Sequence, residues 1–129
     1  MKDDMIKNVR NDRFAKLAGI RLVEVSEGYA VTELTINENH LNGLDDVQGG
    51  VIFTLGDYAF AAASNSAGIT TVAINVNITF FRPPAGKIIR AVAREINAQR
   101  KISGYRVDIT DEDGSLIASF NGLGYRKTN

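Results

Sequence analysis

The stretch QGGVIFTLGDYAFAAASNSAG, from Gln48 to Gly68, decides how the rest of the chain must be arranged. It is mostly apolar, poor in β-branched residues after Ile52, and bounded by a Gly-Gly pair and a lone glycine. Such a run favours helix, and its length corresponds to about five turns. Only Asp57, near the middle, can carry a charge. The expected element is a helix buried almost all round, with one carboxylate carried into the core. A membrane span is not expected, because a midplane Asp is costly in hydrocarbon and Thr54, Ser64, Asn65 and Ser66 add further polar groups.

Composition bounds the surroundings of this helix. A chain of 129 residues with 44% hydrophobic content makes one domain over residues 1–129. The formal net charge is zero, so nothing in the bulk electrostatics favours nucleic acid or an anionic membrane. Between Arg82 and Arg106 lie seven basic residues (Arg82, Lys87, Arg90, Arg94, Arg100, Lys101, Arg106) and one acid, Glu95. A local cationic patch of this kind suits a small polyanionic ligand; a solvated strand face is the other reading. The absence of cysteine removes disulfides and thiolate chemistry, and the one histidine, His40, cannot by itself make a His-rich metal site. The polar start MKDDMIKNVRND has no apolar signal region. The expectation is a cytoplasmic protein without a metal.

Around the long helix the chain reads as a sheet. Met5 to Leu17 carries a loose helical pattern, with Ile6, Val9, Phe14 and Leu17 on one side. Ile20 to Val25 and Tyr29 to Ile36 read as a hairpin about Ser26-Glu27-Gly28. Asn37 to Val47 is a polar loop delivering the chain to the helix. In Thr70 to Phe81, Val72, Ile74, Val76, Ile78 and Phe80 alternate with Ala73, Asn75, Asn77 and Thr79, a period of two. Arg82-Pro83-Pro84 ends that strand. Ile88 to Asn97, Ile102 to Asp111 and Leu116 to Tyr125 follow, with Asp113-Gly114 as a two-residue hairpin signal. Short connections predict that the last four strands are antiparallel neighbours in chain order. The fold class expected is α+β: a curved antiparallel sheet of about six strands around one central helix. The reverse face, with Asn75, Asn77 and Thr79, suits solvent or another subunit.

Two features carry possible chemistry. The first amides of a helix beginning near Gly49 have no intrahelical partners, and the macrodipole puts partial positive charge there. Glycines at 49 and 50 would let a ligand oxygen approach, which is what an oxyanion hole requires; a tight loop-to-helix junction would use the same pair. Asp57 is the stronger signal, since an ionised carboxylate in a core helix is expensive unless partnered. A bond to Thr54 or a sheet side chain is the architectural alternative. Asp57 lies eight residues beyond Gly49, about 12 Å along the axis, too far to act on a group held at the Gly49 amide of the same helix. An antiparallel pair of helices about a two-fold axis would bring Gly49 of one near Asp57 of the other, so a working site would be shared between two subunits. Asn42 and Gln48, just upstream, could orient a carbonyl or a water, or merely cap the loop.

The run HLNGLDDVQGGVIFTLGDYAFAAASNS, followed after one strand by FFRPP, resembles the hotdog-fold thioesterases, and within them the phenylacetate-degradation-type branch of acyl-CoA thioesterases. Members of that branch show Asn, a short loop, His-Gly-Gly, and an Asp nine positions after the His on the central helix. Here these positions are Asn42, Gln48-Gly49-Gly50 and Asp57, with Gln48 replacing the His. The resemblance covers nearly the whole chain. It implies that the thioester carbonyl sits on the Gly49 amide, helped by Gly50, and that Asp57 of the partner subunit attacks directly or activates a water. Gln48 can still donate a hydrogen bond but cannot take up a proton. Coenzyme A enters as part of the substrate, with no other cofactor; Arg82, Pro83, Lys87, Arg90, Arg100 and Lys101 are the expected contacts. Leu44, Val47, Phe53, Tyr58 and Phe60 are the expected acyl-pocket lining. The implied protein is a hydrolase of acyl-CoA, acting on short- or medium-chain or aryl-acetyl thioesters, assembled as a homodimer and then a homotetramer. A non-catalytic acyl-thioester-binding protein on the same fold is the alternative; enoyl-thioester hydration fits less well, since His40 lies in the loop.

Overall fold

The apolar stretch folds into one helix, Gly49–Asn65, and a six-stranded antiparallel sheet lies against it in a computed structural model that describes residues 2–128. The elements run α1 (Lys2–Arg10), α2 (Arg13–Ala18), β1 (Arg21–Ser26), β2 (Tyr29–Thr35), a 3₁₀ turn (Glu38–His40), α3 (Gly49–Asn65), β3 (Thr71–Phe80), β4 (Ile88–Ala98), β5 (Ile102–Thr110) and β6 (Leu116–Arg126). Alternate residues of the inner strands, among them Leu34, Ile89, Ala91, Val107, Ile109 and Phe120, are removed from solvent against Leu55, Ala59, Phe60 and Ala63 of α3. Burial of a side chain such as Leu55 contributes about 2 kcal/mol. α3 touches all six strands, so the sheet curves around it. Glycine permits the close approach: a Cβ at Gly56 would meet Ile109 and Phe120 at 3.1 Å, and one at Gly122 would meet the Phe60 ring at 2.7 Å. This is the α+β hotdog arrangement.

Strand order departs from chain order. The sheet runs β1-β2-β4-β5-β6-β3, so β3 pairs with β6 at the far edge rather than with β4. The seven residues from Phe81 to Lys87 therefore cross the end of the sheet, about 14 Å at ordinary strand spacing. Short length alone did not make β3 and β4 neighbours, because seven extended residues can span that distance. The period of two in β3 is also interrupted. A bulge between Ala73 and Asn75 leaves Ile74 unpaired, so Val76 and Ile78 face the core while Val72 stands opposite Tyr125 on the outer face. The amino-terminal helix is two helices, since the Asp12 carboxylate accepts from the Ala15 amide and begins α2 afresh. The β5–β6 turn holds three residues between Asp111 and Ser115, with Gly114 left-handed, rather than two.

The basic run does not form one patch. Within one chain β4 separates Arg82 and Lys87 at one end from Arg100 and Lys101 at the other by about 33 Å. Between them, on the outer face, Arg90 reaches Glu33 at 3.7 Å, Arg94 stacks on the Tyr29 ring at 4.9 Å, and Arg106 pairs with Asp108 at 3.0 Å. Lys101 donates to the carbonyl of Thr128 at 2.7 Å.

What pins the crossing segment is Asp111. Its side chain is fully buried, and it accepts from the Arg82 guanidinium at 2.8 Å and from the amides of Ala85, Asp113 and Ser115 at 3.0, 3.0 and 3.1 Å. Glu112 adds a bond from the Lys87 amide at 3.0 Å. The Ala85 N–H first, then the Arg82 guanidinium, hold the Asp111 carboxyl down at about 2, against the opposing effect of burial. A folded value below the ordinary 3.8 means stabilisation that is complete above 3.8 and fades as the pH falls toward about 2. Asp111→Ala should unfold at lower urea than the parent at pH 7, and urea titrations at successively lower pH should show the gap narrowing through that window.

Candidate active site

The loop before α3 is folded by its own side chains. His40 is buried; its Nδ1 accepts from the Asn37 amide at 3.0 Å, so Nε2 carries the proton and donates to the Ala18 carbonyl at 2.6 Å. This neutral histidine ties the end of α2 to the loop. Asn42 Oδ1 accepts from the amides of Leu44 and Asp46 at 2.8 and 3.2 Å, closing the turn in which Asp45 takes a positive φ of 62°. Its carbonyl end thus shapes the loop, and only its Nδ2 is left to meet a ligand. A bridge between Leu41 and Val47 and a bond from the Gln48 amide to the His40 carbonyl then set the start of α3.

At that start the four orphan amides are divided. Gln48 is the N-cap, and its Oε1 accepts from the Gly50 N–H. The Gly50 amide is therefore occupied within the chain, and the expectation that it assists at an oxyanion gives way to capping. The Gly49 N–H has no acceptor among the described residues. Because Oε1 faces the helix, the Gln48 Nε2 faces away from it and likewise has no acceptor. Two unpartnered donors thus stand side by side at the positive end of α3.

Asp57 lies half-buried on the same helix, on the stripe shared by Gly50, Thr54 and Ala61, the one side of α3 the sheet leaves uncovered. Neither Thr54, its possible partner by sequence, nor Ser64 supports it. Thr54 donates to the Gly50 carbonyl at 2.8 Å and Ser64 to the Ala61 carbonyl at 3.3 Å, each satisfying the preceding turn of helix. No donor or cation of the described residues reaches the Asp57 carboxylate. Burial, and after it the Asp12 carboxylate, push its pKa above the ordinary 3.8.

Two clefts flank the start of α3. One, of about 310 Å³, lies between Val47, Gly49 and Ile52 on one side and Phe80, Arg82 and Pro83 of the crossing segment on the other. It brings together the Gly49 amide and the Arg-Pro turn. Arg82 spends one N–H on Asp111 and stays half-exposed. The second, of about 430 Å³, is lined by Phe14, Leu17, Gln48 and Val51. Of the expected acyl-pocket residues, Val47 lines the first cleft. Phe60 is core, packed edge-on against Tyr105, and Tyr58 is buried with its hydroxyl donating to the Val9 carbonyl at 2.9 Å. Phe53 packs on Phe120, and Leu44 is an exposed loop tip. Asp111 and Phe80 were missed by sequence reasoning. An Asp heading a Asp-Glu-Asp-Gly turn signals local capping, but nothing local marks its hold on Arg82, 29 residues away. Among the described residues no cluster of His, Cys, Asp and Glu could hold a metal ion, and no helix is long and apolar enough to cross a membrane.

The chain is similar to known proteins along nearly its whole length. Residues 45–118 match the model of the thioesterase superfamily. A putative esterase of Archaeoglobus fulgidus is 39% identical over 98% of this chain and 80% of its own. The acyl-coenzyme A thioesterase PaaI of Escherichia coli is 36% identical over 90% of this chain and 84% of its own. The solved structure of the E. coli PaaI protein from the phenylacetic acid degradation operon superposes with a TM-score of 0.92 at 31% identity, covering 99% of this chain and 94% of that one. With the helix, the wrapped sheet and the Gln48-Gly49-Gly50 start all in place, the chain belongs to the hotdog-fold thioesterase superfamily, in its PaaI-like branch.

Proposed function

We propose that the protein is an acyl-CoA thioesterase that hydrolyses short- or medium-chain or aryl-acetyl CoA thioesters, with each active site shared between two copies of the chain. The observation that carries this reading is Asp57, half-buried on the open side of α3 and without a partner among the described residues of its own subunit. A second copy would complete it. β3 is a free edge of ten residues with exposed Val72, Ile74 and Phe80, the kind of edge that calls for pairing. Two β3 strands related by a two-fold axis pair antiparallel, and the two α3 helices then run antiparallel beside each other. Asp57 of the partner subunit would then lie beside the Gly49 amide, closing the gap of about 12 Å that separates the two positions within one helix. The semi-polar outer face, bearing Asn75, Asn77 and Asn121, is the surface through which dimers would join into a tetramer.

In the reaction the thioester oxygen accepts from the Gly49 N–H and the Gln48 Nε2. The partner subunit's Asp57 either adds to the carbonyl carbon or takes a proton from a water that does. Negative charge develops on the oxygen at the positive end of α3, where fixed donors stabilise it. The C–S bond then breaks, its electron pair leaving on sulfur, which takes up a proton; carboxylic acid and thiol result. A covalent acyl-aspartyl anhydride, where it forms, is opened by water to the same acid. Arg82, Pro83 and Lys87 of the crossing segment meet the coenzyme A side. Both routes need Asp57 ionised, so the rate should rise with pH through a value above the usual carboxylate range.

Asp57→Asn should lower thiol release across a panel of acyl-CoAs by at least about 100-fold. The same substitution should raise the melting temperature at pH 7, because a raised folded pKa means that ionised Asp57 opposes folding above 3.8; the gain should vanish below that pH. Loss of activity accompanied by loss of stability would instead mark Asp57 as a structural residue. In a second test, Gly49→Pro removes the free N–H at a first helical position, where the backbone suits proline and the Phe80 ring, 3.2 Å from an added Cβ, must shift by a few tenths of an ångström. Gly49→Pro and Asp57→Asn chains, each inactive alone, should on unfolding and mixing regain about a quarter of the parent activity, since half the dimers are mixed and each carries one intact site. Mixtures that stay inactive would exclude the shared site.

A further inference from the structure

The break between α1 and α2 is fastened to α3 beside Asp57. The Val9 carbonyl accepts twice there, from the Tyr58 hydroxyl at 2.9 Å and from the Asp12 amide at 3.2 Å. One oxygen thus joins Asp12 to the residue next to Asp57. The Asp12 carboxylate is held in turn, since it accepts from the amide of the buried Ala15 at 2.9 Å. Its charge is felt by both neighbours on α3. At Asp57 it adds to the effect of burial, and at Tyr58 burial first, then Asp12, raise the phenol above the ordinary 10.0 against the opposing Arg10.

Other charges around α3 are spent elsewhere. Arg10 donates to the Leu22 carbonyl at 3.1 Å and Lys16 to the Asn11 side chain at 3.1 Å. Asp3 and Asp4 stand in the first turn of α1, at its other end from Asp12. With Lys7 and Arg13 included, no described cation pairs with Asp12 or Asp57. On the strands, Arg21 and Arg90 meet Glu33, Arg106 meets Asp108, Arg94 lies over Tyr29, Glu95 accepts from Tyr105, Arg126 donates to the Gln99 carbonyl, Glu24 is exposed, and β3 has no charged residue.

Capping α2 needs only an acceptor, which Asn or Ser supplies as well as Asp. The charge of Asp12 is therefore additional to what the fold requires. Both routes to thioester cleavage take the negative charge off Asp57, by a proton in one and by an acyl group in the other. Repulsion from a second carboxylate is relieved as that charge leaves, so it weighs on the reactant more than on the transition state. We propose that Asp12 acts through Asp57 as a positioning residue, a fixed negative charge at the α1–α2 corner that makes the carboxylate a stronger base or nucleophile. This rests on the thioesterase reading and adds to it a residue that lines neither cleft at the start of α3.

The test uses Asp12→Asn and Asp12→Ser, which keep a capping acceptor and remove the charge. The Asp57 carboxyl carbon, identified by its loss in Asp57→Asn, is titrated by NMR at low salt; its midpoint should move to lower pH in both variants. Thiol release from butanoyl-CoA is then followed against pH. On the acid limb the variants should be about twofold faster than the parent and, with a weaker base, slower by a similar factor on the plateau, so that the profiles cross. A merely structural role would slow the variants at every pH. Both differences should shrink in about 1 M salt, because Asp12 is exposed and its field is screened. An Asp57 midpoint unchanged in both variants would overturn the proposal and leave the thioesterase reading standing, as would a moved midpoint with rate profiles parallel to the parent's. No thiol release by the parent at any pH would overturn both.

Discussion

The site depends on one crossing. Because β3 pairs with β6 rather than with β4, the chain must travel back across the end of the sheet before β4 can begin. That end is where α3 starts, so the crossing brings Phe80 and the Arg-Pro turn against Gly49; a Cβ at Gly49 would lie 3.2 Å from the Phe80 ring. The same topology leaves β3 unpaired on its outer side, available to a second copy. A buried carboxylate with four donors keeps the crossing in place. Asp111 satisfies the hairpin loop with two of them and the crossing with the other two, so the turn and the wall of the cleft are fixed together.

Much of this was legible in the sequence. The Gly49–Asn65 helix follows from its apolar run and the sheet from period two, while Asp57, expected inside a helix buried almost all round, lies half-buried on the side of α3 the sheet leaves uncovered. What was not legible has a common physical origin, which is that pattern along a strand does not report pairing between strands. The bulge at Ile74 turns the alternation over partway along β3, and Val72 and Val76 finish on opposite faces. The run of basic residues looked like one patch because it is contiguous in sequence. Along an extended β4 it is drawn out to about 33 Å and mostly matched to acids and rings on neighbouring strands.

Gln48 illustrates the finer limit. From sequence it reads as an amide that might orient a carbonyl or cap a loop, and the structure has it cap with one end while the other stays open. Carboxamides can do both because donor and acceptor sit on separate atoms. The capping bond fixes the side chain, so the free Nε2 is aimed rather than mobile, and it needs no protonation change to donate.

Three features of the single chain are left open around α3 and the sheet edge. Among the described residues Gly49 N–H lacks an acceptor and Asp57 lacks a donor, and β3 exposes apolar residues and an open edge. Each carries a folding cost that core packing must offset. Several more deeply buried polar groups are satisfied: Thr32 donates to the Leu55 carbonyl, Asn65 bonds both backbone groups of Thr71, and His40 uses both ring nitrogens, whereas the buried Ser103 hydroxyl has no partner among the described residues. In the proposed dimer, two-fold pairing of β3 would cover that edge and set the carboxylate of one helix toward the amide of the other. The remaining free donors would then be matched by a ligand oxygen, and on that reading the stability withheld from the subunit would be recovered partly on assembly and partly in the transition state, which is where interaction energy accelerates a reaction.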